Sequence, residues 1–281
     1  MHGNPIFKFC TAIVFLVVCF LLVMERTNIS KTAEVTGMES VMTQTKRDLA
    51  RLSKAIGSDE QQYVTPMGKV YKREHKGYTL YISCDHKGPL FGFMRLGKDT
   101  GNLPREDKFT FDDGVPAECR QASTGTYNRT YHRGHLFAAN HFDDDKQEMF
   151  ESFYMSNVVP QHVTSNTGAW KATEVITECY REFHDVYVAA GVIYGSEADD
   201  DYFVDSHGVT TPTAMWKVIM LDDESYAGWI IPNNGSATFA KLDSFSVAID
   251  DIMRITNIRI ATDAGRLKRV SLPIFENCHR S

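Results

Sequence analysis

A single long apolar run near the N-terminus constrains the organisation of this chain more than any other feature. Residues 9–24 are sixteen consecutive positions without a charge, and Ile6 and Phe7 extend the apolar character across Lys8. A helix over residues 6–24 would be roughly 28 Å long at about 1.5 Å per residue, close to the hydrocarbon thickness of a thin membrane. Residues 1–26 are therefore predicted to be a membrane anchor that contacts the bilayer through residues 6–24.

Two alternatives stay open for this segment, a cleaved signal sequence and a mitochondrial presequence. A signal sequence usually has a shorter apolar core followed by small residues, whereas Met24, Glu25 and Arg26 follow here. A presequence usually starts with an Arg- and Ser-rich amphipathic stretch, which this sequence lacks. The uncleaved anchor is therefore the prediction.

Residues 27–60 are predicted to form a helical stalk or linker. Apolar residues recur there at steps of three and four: Val35, Met38, Met42, Leu49, Leu52 and Ile56. Gly57 is well placed to end the helix. Such a helix could pair with a second copy and give a homodimer, or it could pack on the globular domain as one amphipathic helix.

The composition predicts that residues 61–281 form one enzyme-sized globular domain. The chain of 281 residues is 43% hydrophobic and 23% charged, and it contains no internal repeat. A formal net charge of −6 argues against a protein that coats nucleic acid by bulk electrostatics. A locally basic cleft remains compatible with that charge.

Four cysteines lie outside the apolar run: Cys84, Cys119, Cys179 and Cys278. This even number is compatible with two disulfides in an oxidising compartment, and equally with four free buried thiols. Three Asn-X-Ser/Thr sequons begin at Asn28, Asn128 and Asn234. Sequons and paired cysteines favour a secretory lumen or the cell surface.

The domain is predicted to be α+β, with a mixed and mainly antiparallel sheet flanked by helices. Runs of apolar and β-branched residues bounded by Gly, Pro and Asp predict the strands. These predicted strands are Tyr78–Ser83, Leu90–Leu96, Val186–Val192, Met215–Leu221 and Gly228–Ile231.

Between these strands lies a stretch with conspicuous polar residues. It contains Arg133-Gly134-His135, Ser156-Asn157, Pro160-Gln161, Asn166, Trp170 and Glu174 in that order. This pattern resembles the DNA/RNA non-specific endonuclease family of ββα-metal (His-Me finger) nucleases, which includes enzymes like endonuclease G. The resemblance covers roughly residues 63–275, and it makes the mitochondrial intermembrane space an alternative location by analogy.

The resemblance implies an Mg²⁺-dependent hydrolase that cuts phosphodiester bonds in DNA and RNA and leaves 5′ phosphates. It assigns His135 as general base, Arg133 as a phosphate contact and Asn166 as the single protein ligand of the metal, which Mn²⁺ could replace. These roles suit the residue types, because a neutral imidazole can accept a proton from water and Mg²⁺ prefers oxygen ligands.

Three further residues are assigned supporting positions by the resemblance. Glu174 would hold metal-bound water, and it would share a face with Asn166 on a continuous helix because eight residues make about two turns. Asn157 and Gln161 are expected to support the loop and the histidine. Trp170 is interpreted as a core residue.

The sequence departs from the family pattern at His132, where an aspartate is usual. A protonated ring there would lower the pKa of His135 by like-charge repulsion. The alternatives are therefore a nuclease biased toward exonuclease action, or a catalytically impaired module that only binds nucleic acid or a protein partner. A third alternative is a structural tether in which the stalk matters more than the domain.

Other groupings of polar residues are assigned no site. Zinc binding by His132, His135, His141 and Cys179 is disfavoured because the spacing matches no closed zinc module. Acidic runs at residues 143–145 and 199–201 lack the spacing of a calcium loop and are expected to be solvated loops.

Overall fold

The computed structural model of the protein describes residues 62–65, 67–195, 202–260 and 267–275. The predicted anchor at 1–26 and the predicted stalk at 27–60 lie outside these residues. Within the described ranges, no helix combines the length and the hydropathy that crossing a bilayer requires.

Ten strands are present in the described part of the chain. They are β1 (Gln62–Thr65), β2 (Gly68–Glu74), β3 (Tyr78–Ser83), β4 (Gly88–Leu96), β5 (Tyr131–His135), β6 (Val158–His162), β7 (Val186–Ile193), β8 (Ala214–Leu221), β9 (Ser225–Pro232) and β10 (Lys268–Arg269). Eight of them form one sheet in the order β1-β2-β3-β4-β7-β8-β9-β10, and β5 and β6 form a separate hairpin. Neighbours in the large sheet are antiparallel, except that β10 runs parallel to β9.

The described helices are α1 (Lys146–Ser152), α2 (Val163–Thr167), α3 (Ala169–Arg181), α4 (Tyr202–His207) and α5 (Ile249–Thr256). Helix α1 begins after Asp145, whose carboxylate accepts hydrogen bonds from the backbone amides of Gln147 and Glu148. Such a cap satisfies amide groups that have no partner inside the helix. Helix α5 ends at Asn257, which has a left-handed backbone with φ of 55°.

Each face of the large sheet carries its own apolar cluster. One cluster includes Leu80, Trp170 and Ile219 and lies on the face covered by α3. On the opposite face, Trp216 and Val218 pack with Ile252 of α5. Helices on both faces of a mainly antiparallel sheet confirm the predicted α+β class.

Cysteine pairing is resolved for part of the chain. Cys84 and Cys119 form a disulfide, and Cys179 is also disulfide-bonded, whereas Cys278 lies outside the described residues. The disulfides contradict the alternative of four free thiols. Both Cys84 and Cys119 are at least nine-tenths buried, so their bond links β3 to the loop before β5 inside the core.

The hairpin of β5 and β6, followed by α2 and α3, carries the predicted site residues. The prediction of one continuous helix from Asn166 to Glu174 is wrong, because the chain breaks at Gly168 between α2 and α3. A Cβ at Gly168 would lie only 2.2 Å from the carbonyl oxygen of Thr164 and 2.5 Å from that of Ala237. Glycine is therefore needed where this turn packs against the segment after β9.

Candidate functional site

His135 stands at the end of β5 in an aromatic enclosure. Its ring centroid lies 5.2 Å from that of Phe109 and 5.2 Å from that of Phe153. The residue is 8% exposed, and its buried Nε2 has no hydrogen-bond partner among the described residues. Within the described residues, no protein group therefore competes with a ligand for this imidazole nitrogen.

The pKa of His135 is lowered from 6.5 to about 3. Burial is the main cause, followed by the positive charge of Arg105, and Asp107 opposes these effects. His132 is not among the groups that cause the shift, so the predicted repulsion from His132 is replaced by repulsion from Arg105 and Arg133. The ring is neutral at physiological pH.

Arg133 shares a face of the hairpin with His135, because alternate residues of a strand point the same way. Its guanidinium lies 3.9 Å above the ring of Phe109, and Nη1 donates a hydrogen bond to the carbonyl oxygen of Thr124. Arg105 reaches the same region, with its guanidinium carbon 5.4 Å from the centre of the Phe153 ring. Two cations and one neutral imidazole thus meet at this aromatic cluster.

Strand alternation turns His132 toward the other face of the hairpin, where α2 begins. The side-chain amide of Asn166 donates a hydrogen bond of 3.1 Å from Nδ2 to Nδ1 of His132. This contact occupies the amide nitrogen of Asn166 and leaves the carbonyl oxygen Oδ1 as the atom that can bind a metal. An amide oxygen held in this way fits the preference of Mg²⁺ for hard oxygen ligands.

Trp170 connects α3 to the hairpin. Its ring is fully buried, and Nε1 donates a hydrogen bond of 3.0 Å to the carbonyl oxygen of His135. One turn later, Glu174 is 12% exposed and lies 3.4 Å from Nζ of Lys171. No hydrogen bond joins Asn166 or Glu174 to His135 within the part of the chain that the structure describes.

Lys217 in the middle of β8 is an additional charged group beside Trp170. Its Nζ lies 3.9 Å from the centre of the Trp170 ring, and the residue is only 1% exposed. Burial lowers its pKa from 10.5 to about 8, and the charge of Glu174 partly opposes this shift. A lone lysine within the apolar run of residues 214–221 was the sequence signal that could have identified it.

Asn157 fixes the chain that follows His135. Its Oδ1 accepts a hydrogen bond from the backbone amide of Phe137, while Nδ2 donates to the carbonyl oxygens of Phe137 and Ser152. Gln161 lies opposite His132 in the hairpin and is fully buried, but its amide atoms have no hydrogen-bond partner among the described residues. The geometry thus connects Asn157, but not Gln161, to the loop after the histidine.

Arg105 and Phe109 were not predicted from the sequence. Arg105 and Phe109 belong to a segment of irregular structure between β4 and β5 that has no periodic pattern. Only the folded chain brings them to His135.

Comparison with known proteins identifies relatives of this chain. A family model described as DNA/RNA non-specific endonuclease matches residues 57–266. Human mitochondrial endonuclease G is 30% identical over 185 residues, which cover 59% of this chain and 62% of the relative. Mouse mitochondrial nuclease EXOG is 22% identical over 216 residues, which cover 70% of this chain and 59% of the relative.

The fold is also found in a solved structure. A chain in the crystal structure of an EndoG/EndoGI complex superposes with a TM-score of 0.60 at 23% identity, covering 70% of this chain and 89% of that chain. The matches span about 60% of the length of the mouse and human relatives. Since the family model matches three quarters of the sequence, the chain belongs to the DNA/RNA non-specific endonuclease family.

Proposed function

We propose that the domain at residues 61–281 is a nuclease that hydrolyses phosphodiester bonds of DNA and RNA with the help of Mg²⁺ or Mn²⁺. The observation that carries this proposal is the buried His135, whose Nε2 has no hydrogen-bond partner among the described residues while Arg105 and Arg133 lie nearby. Contacts to phosphate and sugar carry no direct base information, so little sequence specificity is expected.

His135 is proposed to accept a proton from the attacking water. Its ring is neutral at physiological pH because its pKa is lowered to about 3. A bound phosphate would offset the charges of the two arginines and raise this pKa toward neutrality, which makes the imidazole a better base when substrate is present. Substrate binding would thus strengthen the base at the moment it is needed.

The arginines are proposed to hold the scissile phosphate. Arg133 rests on Phe109 and Arg105 on Phe153, so both guanidinium groups are held close to the imidazole before substrate arrives. A planar guanidinium can donate two parallel hydrogen bonds to phosphate oxygens. Preorganised cations of this kind stabilise charge that develops on a phosphoryl group.

Asn166 is proposed to hold the metal through Oδ1, with His132 fixing the amide from its nitrogen side. Glu174 is proposed to orient coordinated water, and Lys217 and Lys171 balance its charge. Asn157 is proposed to keep the backbone after His135 in place, and Gln161 to support the hairpin. Mg²⁺, when bound, supplies stabilisation of the phosphoryl charge and an acidified water for the leaving oxygen.

The proposal is tested with the purified chain on supercoiled plasmid and on RNA, with Mg²⁺ and with EDTA. Cleavage should require the metal, and His135→Ala and Asn166→Ala should abolish it. His184→Gln is the matched control, because His184 is partly exposed and pairs with Asp222 instead. A folded wild-type chain that binds nucleic acid without cutting it would support the binding-module alternative.

Arg105 has its own test, because it was identified from the fold alone. Arg105→Ala should raise KM for DNA several-fold, whereas Arg259→Ala, at an exposed arginine outside this cluster, should leave KM unchanged. Equal effects of the two substitutions would remove Arg105 from the site.

Location and assembly are also proposed. Several relatives carry mitochondrial names, which supports the intermembrane space over a secretory lumen, and the disulfides suit an oxidising compartment in either case. Membrane attachment through residues 6–24, the domain boundaries at 26 and 60, and homodimer formation through the stalk stay predictions. Cell fractionation with alkaline extraction tests the location and the attachment together.

A further inference from the structure

Three carboxylates meet where the loop after β4 packs against the segment before α1. Asp99 comes from that loop, and Asp143 and Asp144 precede the helix. One oxygen-ligand atom from each lies within 4.8 Å of the other two. Residues 99 and 143 are more than forty positions apart, so the fold, not the acidic run at 143–145, creates this cluster.

Asp143 is the unusual member of the cluster. The residue is only 6% exposed, and its buried Oδ1 has no hydrogen-bond partner among the described residues. An ionised carboxylate is costly to bury unless a cation or hydrogen-bond donors compensate it. Burial and the charge of Asp99 raise the pKa of Asp143, with smaller effects from Glu178 and Asp144.

The other two carboxylates are already fixed in place. Asp144 accepts hydrogen bonds from the amide and hydroxyl of Thr100 at 2.7 Å each and from Nη2 of Arg181 at 2.8 Å. Asp99 accepts a hydrogen bond from the amide of Gly101. Two of the three side chains are therefore held in the geometry of the cluster without any added ligand.

The nearby positive charge is shared too widely to neutralise this cluster. Arg181 contacts Asp144, but it also lies 3.6 Å from Glu178 and donates to the carbonyl oxygens of Gly97 and His141. Arg181 thus divides its charge between Asp144 and Glu178, and Glu178 also pairs with His141. The local excess of negative charge surrounds Oδ1 of Asp143, which has no hydrogen-bond partner among the described residues.

We propose that Asp99, Asp143 and Asp144 bind one Ca²⁺ ion, separate from the metal position at Asn166. Carboxylate oxygens are hard ligands, and Ca²⁺ binds six to eight oxygens at about 2.3–2.6 Å in flexible geometry. Mg²⁺ demands a near-ideal octahedron at about 2.1 Å and is seldom held by a cage of protein carboxylates alone. Water would complete the shell on the exposed side of Asp144.

The ion would join the loop after β4 to the start of α1. The same loop continues to Arg105, which lies over the ring of Phe153 beside His135. Calcium would therefore stabilise the fold and keep Arg105 in position. Its binding does not depend on nuclease activity, so failure of one proposal leaves the other standing.

The test measures Ca²⁺ binding to the full-length chain by isothermal titration calorimetry. Asn166→Ala serves as the parent, because it removes the proposed ligand of the other metal. One Ca²⁺ per chain should bind, and millimolar Ca²⁺ should raise Tm by several degrees. Asp99→Asn and Asp143→Asn in this parent should each weaken binding at least ten-fold and abolish the rise in Tm.

Asp113→Asn is the matched control, because the side chain of Asp113 is 96% exposed and pairs with Arg120. It should bind Ca²⁺ like the parent. In the absence of calcium, Asp143→Asn should have a higher Tm than its Asn166→Ala parent, since the substitution removes a buried charge. If Asp143→Asn does not fold, Ca²⁺ binding by the Asp99→Asn variant tests the proposal, because Asp99 is partly exposed.

Three results would overturn the proposal. These are no binding at millimolar Ca²⁺, undiminished binding in Asp99→Asn, or Mg²⁺ binding as tightly as Ca²⁺ in the parent. The last result would indicate an unselective acidic surface.

Discussion

The buried lysine beside Trp170 gives the sharpest quantitative prediction. Lys217 has a pKa of about 8 in the folded protein and 10.5 as its ordinary value. Between these values the unfolded chain binds the proton and the folded chain does not, so the lysine costs stability as the pH falls from 10.5 to 8. At pH 7 the full cost is about 3.3 kcal/mol, at about 1.36 kcal/mol per pH unit.

Lys217→Met removes this cost and keeps most of the side-chain volume. The variant also loses the contact between Nζ and the Trp170 ring, which contributes about 2 kcal/mol when it is shielded from water. We therefore expect the variant to be about 1–3 kcal/mol more stable than wild type at pH 7. It should nevertheless cleave more slowly, because Glu174 loses a buried positive neighbour.

The assay is urea unfolding of both proteins at pH 7 and pH 9. The stability difference should shrink by about 1.3 kcal/mol between these pH values, because the free energy of deprotonating Lys217 on folding falls as the pH rises above its folded pKa of about 8. Lys171→Met removes a more exposed cation beside the same Glu174 and should show no such shrinkage. A variant less stable than wild type at pH 7, or a difference that is constant with pH, would refute the reasoning.

Three further outcomes are expected. His132→Asp should raise nicking of supercoiled plasmid, because a carboxylate accepts more strongly than imidazole from the metal-holding amide; unchanged or slower nicking would contradict this. Trp170→Phe should lose about 1–3 kcal/mol in urea unfolding and slow cleavage, because the carbonyl oxygen of His135 loses its donor. Trp216→Phe is the control, since its buried Nε1 has no partner among the described residues, and an equal loss there would remove the special role of position 170. Burial is the main reason why the pKa of His75 is lowered to about 4. The free energy of unfolding should therefore keep its full His75 contribution above pH 6.5 and fall by about 3 kcal/mol toward pH 4. His75→Gln should lack this fall in pH-dependent unfolding, and an identical fall in both proteins would argue against the role of His75.

The strand positions could be predicted because a sheet buried on both faces requires long apolar runs. The predicted Tyr78–Ser83 strand coincides with β3, and the other four predicted strands lie within β4, β7, β8 and β9. Helix α2 is only five residues long, so its end at Gly168 left no periodic signal.

The sequence by itself determined the family, because the order and spacing of the motif residues are properties of the chain. Only the tertiary structure decided their neighbours. The pKa of His135 depends on Arg105, thirty positions away, and Lys217 meets Trp170 only because β8 lies under α3. Asp99 and Asp143 likewise approach each other only through the fold. Electrostatic interactions depend on distance and burial, and neither quantity can be read from the order of residues in the sequence.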